Sequence, residues 1–397
     1  MSGRSYDVIV VGAGPAGSYV AYELASLGHD VAVFEEKSAS GLNACCTGII
    51  STECFHSLGL GTDVMLTELN SAKFFSPSGR CLKLQTEKIQ AYVVDRPLLD
   101  ETLVSKAQSK GAQYFCSSHV SDVISAGDSM QVEILCSGTR EIFSGRVVVL
   151  ANGFRPRLPQ KLGMGKIRNF LVGAQAEVEA GDVEEFEVHF GQKIAPGAFA
   201  WVVPTSTNKV YVGLLATAQA RLYLQEFLNS LFRQGRITRR ESEIRQKAVP
   251  VGTLARSYGD RVLAIGDAAG QVKPTTGGGI YFGHVGAKIA AQVLDEALTR
   301  DNLTAGQLSR YQKLWKEKMG KELSRGHWAR WAYAKLSDRQ IDGIFDMFDS
   351  DGVAEALLNS GNFSFDWHSK LILAVLRQSS AYPLLKIKHL LSREASL

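Results

Sequence analysis

The chain opens on a largely apolar run, interrupted only by Asp7. Tyr6-Asp7-Val8-Ile9-Val10-Val11 has the character of a strand buried on both faces. An amphipathic stretch starting at Pro15 predicts a helix, and Asp30-Val31-Ala32-Val33-Phe34 predicts a second strand, so the segment reads as a βαβ unit. Two later runs, R-V-V-V-L-A at 146–151 and R-V-L-A-I-G at 261–266, predict further central strands. Between Val93 and Gly111 the apolar residues fall at helical spacing. Another pattern fills the intervals. Residues 71–75, 80–85, 171–179, 186–190, 200–203 and 209–215 show strand-like alternation, as in an antiparallel sheet. From about Gly286 the pattern turns helical, with Gly343, Gly352 and Gly361 as expected punctuation.

The expected fold class is therefore α/β, with three parts. Residues 1–70, 91–160 and 250–295 form a discontinuous Rossmann-type unit. Residues 71–90 and 161–249 form an antiparallel-sheet domain, and 296–397 a helical region.

Chemistry enters at the first turn. Gly12-Ala13-Gly14-Pro15-Ala16-Gly17 sits between the first strand and the helix, and Glu35 follows about twenty residues on. Gly12 permits the tight turn, Gly14 lets the backbone approach a pyrophosphate, and Gly17 lets the helix pack close to the sheet. The helix start offers unpaired N–H groups and a positive dipole end to phosphates. Glu35 suits the ribose hydroxyls of an adenosine. These features predict a bound dinucleotide.

A second constellation lies at 260–280. The strand at 261–266 delivers Asp267 at its carboxyl end, where doubly wound sheets bind ligands. Pro274-Thr275-Thr276-Gly277-Gly278-Gly279-Ile280 then opens a helix whose backbone N–H groups can approach a ligand. With the D-R-P-x-L-D block around Arg96, the set resembles the FAD-dependent oxidoreductases built like aromatic hydroxylases. The resemblance runs in motif order over roughly residues 5–300. It implies FAD as cofactor, held by Gly12, Gly14, Ala16, Gly17, Glu35, Glu36, Cys46, Arg96, Asp267, Gly278, Gly279 and Ile280. Two departures stand out. Ala151-Asn152-Gly153 replaces the A-D-G usual in hydroxylases, and Gly163-Met164-Gly165 does not complete a second nucleotide motif. An external reductant, NAD(P)H or a ferredoxin-like protein, is expected to bind transiently.

Two further motifs narrow the branch. Cys45-Cys46-Thr47-Gly48 is similar to the C-x-x-G of geranylgeranyl reductases, with Cys46 as an extra residue. Pro196-Gly197-Ala198-Phe199-Ala200-Trp201-Val202-Val203-Pro204 resembles their P-x-x-Y-x-W-x-F-P, with Phe199 for tyrosine and Val203 for phenylalanine. The resemblance implies reduction of isolated C=C bonds in the prenyl chain of a lipid or isoprenoid quinone. Such chemistry needs hydride from reduced flavin and a proton to the other carbon. Phe199, Trp201 and Pro204 become expected substrate contacts. Cys45 becomes either a proton donor or a small residue packed beside the flavin, and Trp201 either a substrate contact or a core aromatic. A flavin monooxygenase or halogenase is the alternative, since halogenases carry W-x-W-x-I-P. A flavin electron carrier with no substrate of its own is another.

Composition adds little until the C-terminus. The chain has 397 residues, 45% of them hydrophobic and 21% charged, as in ordinary globular proteins. The first strand begins almost at the N-terminus, no run reaches the roughly 18 apolar residues of a membrane span, and a cytoplasmic protein is expected. Six cysteines show no metal spacing, and adjacent Cys45 and Cys46 lie too close, at about 3.8 Å between Cα atoms, for an easy bridge. His189 and His284 lack ligand partners at metal spacing, and Asp349-Ser350-Asp351-Gly352 fails as a calcium loop, so no metal is expected. A net charge of +4 does not suggest nucleic acid as a partner. Between Lys370 and Arg393, however, five basic residues and no acid interleave with leucines and isoleucines. That suits either a helix pair packed on the body or peripheral contact with an anionic membrane surface.

Overall fold

The computed structural model describes residues 5–136, 138–181, 183–206, 208–239, 241–349 and 364–378. The apolar runs assemble into an eight-stranded sheet. Its spatial order is Tyr258–Gly259, Val262–Ala264, Thr139–Leu150, Ser5–Val11, Val31–Phe34 and Gln113–Phe115. The five strands from Val262–Ala264 to Gln113–Phe115 pair in parallel. Parallel strands need both faces covered, which is why these segments read as continuous apolar runs. On one face lie the helices Pro15–Ser26, Arg96–Ser109 and Ile280–Thr299, packed around Val8, Val10, Leu24, Leu103 and Phe282. The other face packs on Ile9, Phe34, Met130 and Ile134.

The D-R-P-x-L-D block is a helix start. Asp95 caps Arg96–Ser109 by accepting from the Leu98 amide at 3.0 Å, and the proline occupies the first turn, where it costs no hydrogen bond.

The second sheet has seven strands, ordered Arg245–Pro250, Phe170–Glu179, Lys209–Ala216, Phe199–Ser206, Phe186–Phe190, Ser71–Phe75 and Cys81–Gln85. It departs from the expected antiparallel pattern at one seam, because Phe186–Phe190 pairs in parallel with Ser71–Phe75. The excursion through residues 71–85 supplies two strands to a sheet otherwise built from residues 170–250, and enters it in the same direction as its neighbour. The helix Ala220–Arg233 covers one face of this sheet. A small three-stranded sheet, Ile49–Ser51, Ala91–Val94 and Met65–Leu69, joins the two large ones.

Two expectations need correction. The strand at 146–151 is the end of a longer one, Thr139–Leu150, which continues an antiparallel meander with Ser118–Ala126 and Ser129–Cys136. Gly343 does not break a helix: it lies inside Asp338–Asp349, on a face with nothing within 4 Å of where a side chain would start. Gly352, Gly361 and residues 379–397 of the basic C-terminus lie outside the described residues. The described helices after Ile280–Thr299 are Ala305–Trp315, continued by a π-helical stretch, Lys316–Gly320, into Lys321–Tyr333, and then Asp338–Asp349 and Ser369–Gln378. No helix among the described residues is long and apolar enough to cross a membrane.

Candidate functional site

A single cavity of about 1120 Å³ runs between the two large sheets. That exceeds the roughly 300–1,000 Å³ of common ligand pockets and leaves room for more than one ligand. Its polar end is the Gly12–Gly17 turn. Gly12 has φ of +100°, and a Cβ there would sit 2.6 Å from the Ala151 carbonyl oxygen. A Cβ on Gly17 would sit 2.0 Å from the Gly12 carbonyl oxygen, so only glycine allows this turn and helix to close. At Gly14 the space is open, on the side that faces the cavity. Glu35 is bound to the same turn. One carboxylate oxygen accepts from the Ala13 amide at 2.8 Å and the other from the Lys37 amide at 3.0 Å.

The opposite wall is built from the end of the strand Val262–Ala264. Asp267 faces Lys247 Nζ at 2.7 Å, and a Cβ on Gly279 would lie 2.7 Å from its other oxygen. The Asp267 carboxylate pulls the Lys247 ammonium pKa upward. The Gly277–Gly279 turn leads into Ile280–Thr299, a 20-residue helix whose N-terminal N–H groups point toward the cavity end. Arg96 grips both oxygens of Asp100 through Nη2, at 3.0 and 3.1 Å. Its Nε and the Asn152 Oδ1 are buried without a hydrogen-bond partner, and both residues line the cavity. Buried donors and acceptors are normally paired, and these two have no partner within the protein.

Cys45, Cys46, Thr47 and Gly48 stand between this polar end and the second sheet. Gln175, from Phe170–Glu179, accepts from Thr47 Oγ1 at 2.8 Å and donates to the Cys46 carbonyl at 3.4 Å, which pins the loop. Cys45 Sγ donates to the Arg245 carbonyl at 3.4 Å. Burial, with Cys46 adding to it, pushes the Cys45 thiol up to about 11, so it keeps its proton at neutral pH. Neither cysteine is in a disulfide.

Beyond Cys45 the cavity turns apolar. Phe199 and Trp201, two residues apart on Phe199–Ser206, share one face with ring centroids 5.9 Å apart. Phe186, Phe190, Phe345 and Ile372 extend the wall. Trp201 lies flat across the neighbouring strand because its partner there is Gly213, where a Cβ would come within 2.5 Å of the indole. The Trp201 Nε1 is a buried donor without a partner.

Of the residues expected from sequence, Gly12, Gly14, Ala16, Glu35, Glu36, Cys45, Cys46, Arg96, Phe199, Trp201, Asp267, Gly278, Gly279 and Ile280 line this one cavity. Gly17 does not reach it and acts through packing. Pro204 does not line it either. Strand alternation turns Pro204 to the face of Ala200 and Val202, under the helix Ala220–Arg233. Sequence reading missed Lys247 and Gln175, and singled out Asn152 only as a departure from A-D-G; all three reach the cavity from other strands and loops.

A family model described as "Lycopene cyclase protein" matches residues 7–350. Digeranylgeranylglycerophospholipid reductase 2 of Methanothermobacter thermautotrophicus is 32% identical over 352 residues, covering 85% of this chain and 90% of the relative. Digeranylgeranylglycerophospholipid reductase of Methanocaldococcus jannaschii is 29% identical over 349 residues, 85% of this chain and 89% of the relative. Among solved structures, a geranylgeranyl bacteriochlorophyll reductase-like protein of Thermoplasma acidophilum superposes with a TM-score of 0.85 at 23% identity, covering 98% of this chain and 99% of that one. A flavin-dependent brominase superposes at 0.67 with 17% identity, over 95% of this chain and all of that one.

Proposed function

The chain belongs to the lycopene cyclase protein family, in the branch of the geranylgeranyl reductases, and from that premise we propose that it is an FAD-dependent reductase of prenyl C=C bonds. The observation that carries this reading is continuity: a dinucleotide cradle and an aromatic-walled apolar arm share one cavity, with a protonated thiol where they meet.

The residues present fit FAD. The open side of Gly14 and the start of Pro15–Ser26 would take the pyrophosphate, and Glu35 the adenosine ribose. Asp267 would take ribityl hydroxyls, and the Gly277–Gly279 turn the ring end. Arg96 Nε and Asn152 Oδ1 are the unpaired groups such a ligand would satisfy. Bound and reduced, FAD supplies the hydride.

The protein supplies what an unactivated alkene lacks. Phe199 and Trp201 flank the arm and limit how a chain can lie in it. Burial at about 0.8 kcal/mol per CH₂ lets the arm hold a prenyl chain without specific polar contacts. The same apolar wall keeps water from the reacting carbons. Cys45 Sγ–H, which in the free protein donates to the Arg245 carbonyl, would protonate the second carbon, and solvent would restore its proton afterwards. The substrate class is a prenyl lipid, for which the named relatives are reductases; an isoprenoid quinone tail meets the same wall. NAD(P)H or a ferredoxin-like protein reloads the flavin. Peripheral contact with a membrane holding the substrate would be made by the basic residues of the C-terminus.

The brominase likeness keeps oxygen-dependent chemistry as the second reading. One experiment separates the two. FAD-loaded protein, reduced without oxygen and mixed with a geranylgeranyl lipid, should return a product heavier by two hydrogens per double bond. No mass gain from protein that holds FAD overturns the reductase; an oxygenated or halogenated product in air supports the alternative.

A further inference from the structure

We propose that Lys273 and Asp366 form a positioning latch that ties the Gly277–Gly279 turn to the segment 365–372, so that flavin binding and closure of the apolar arm occur together. The inference rests on the reading that FAD sits against this turn.

Lys273 belongs to the turn by its backbone. Its amide donates to the Gly278 carbonyl at 3.0 Å, and its carbonyl accepts from the Gly277 amide at 2.8 Å. Its side chain runs beneath Gly278, where a Cβ would come within 2.7 Å of Cε. The ammonium then leaves the turn. It donates to Asp366 Oδ1 at 2.8 Å and to the Phe365 carbonyl at 3.2 Å, 4.9 Å from the Phe365 ring. Lys273 is 6% exposed and Asp366 2%.

A neutral contact doubles the link. His368 Nε2–H donates to the Phe365 carbonyl at 2.9 Å, which leaves Nδ1 to accept from Thr275 Oγ1 at 2.7 Å. Glu322 holds the start of the helix Ser369–Gln378 in place by accepting from the His368 amide at 2.6 Å and the Ser369 amide at 3.0 Å. Leu371 and Ile372, in the first turn of that helix, line the cavity. The turn thus has the cofactor end on one side and the closing wall of the arm on the other.

Stability alone does not explain the pair. A buried ion pair contributes little net stability compared with an apolar pair of similar size. Asp366 Oδ2 is also buried without a partner while its residue faces the cavity. Two sites that bias one element are coupled, and coupling is reciprocal, with factors of roughly 5–150 in affinity.

Hydrogen exchange of the 369–378 amides in the full chain, with and without FAD, tests the latch. FAD affinity is followed in parallel by flavin fluorescence. In the wild type, FAD should slow exchange of these amides by about tenfold, within that range of coupling. In Asp366→Asn, FAD should still bind but the added protection should shrink to what the His368–Thr275 contact alone transmits. Because a single change leaves Lys273 buried and unpaired, the double variant Lys273→Met with Asp366→Leu serves as a second probe. It should melt like the wild type and transmit only the same remainder. Wild-type protein that binds FAD without protecting 369–378 overturns the latch and leaves the functional reading standing, as do variants that transmit protection in full. Wild-type protein that binds no FAD overturns both.

Discussion

On the proposed reading Cys45 supplies the proton, and its environment sets a pH signature. Burial raises its folded-state pKa from about 9 to about 11. As an acid it must hold its proton, so alkene reduction should stay flat from pH 6 to 9 and fall as the pH approaches 11. Stability follows the same sign. The contribution of the protonated thiol is complete below pH 9 and is lost as the pH rises through 11. Cys45→Ala should lower the rate by about 10²–10⁴, the usual worth of a positioned acid, while FAD content is unchanged. An unaltered rate would make Cys45 packing only. Gly17→Ala tests the cradle. The new methyl meets a backbone oxygen that cannot swing away, an overpacking of about 1–3 kcal/mol, measurable as a lower melting point and lost flavin. The glycines were legible in sequence because each obeys a local rule about a turn. Arg96 was legible only as part of a block; that its Nε is buried without a hydrogen-bond partner depends on how distant segments pack around the helix start.

At the scale of elements, the strand Phe199–Ser206 shows both what alternation reveals and what it hides. Alternation puts Phe199 and Trp201 on one face, and they do share the cavity wall. The same rule puts Pro204 on the other face; reading P-x-x-F-x-W-x-V-P as one block of contacts overrode it. Gly213 was not legible, because its role arises from register: it sits opposite Trp201 on the paired strand, 12 residues further along the chain. Gly213→Ala should push the indole into the arm. We expect KM for a geranylgeranyl substrate to rise at least tenfold with little change in FAD affinity, measured by steady-state kinetics and flavin titration. An unchanged KM would mean that Trp201 does not shape the arm. The parallel seam between Phe186–Phe190 and Ser71–Phe75 was hidden for the same reason, since pairing between distant segments leaves no local trace.

For the whole molecule, the central strands and their helices could be read from apolar runs because a doubly covered sheet imposes them. The pairs that join the units could not: Lys247 with Asp267, Gln175 with Thr47, and Lys273 with Asp366 span 20, 128 and 93 residues. Acid should find a different weakness in the assembled fold. His284, edge-on to Tyr19 at 4.2 Å, and His368, in the segment that closes the arm, are both pushed down to about 4 by burial, with a nearby lysine adding to it. Between pH 6.5 and 4 the unfolded chain takes up protons that the fold refuses, so stability falls as pH falls through that window. Each group contributes about 1.4 kcal/mol per pH unit there. Denaturant midpoints at pH 7, 5.5 and 4.5 should decline accordingly, and less steeply in His284→Phe. Whether reduced flavin in this cavity saturates an isolated double bond is decided by one anaerobic turnover. Protein carrying fully reduced FAD is mixed with a geranylgeranyl lipid while flavin absorbance is followed and product counted. Oxidised flavin should return mole for mole with saturated bonds and without oxygen. Flavin that stays reduced until air is admitted would contradict it.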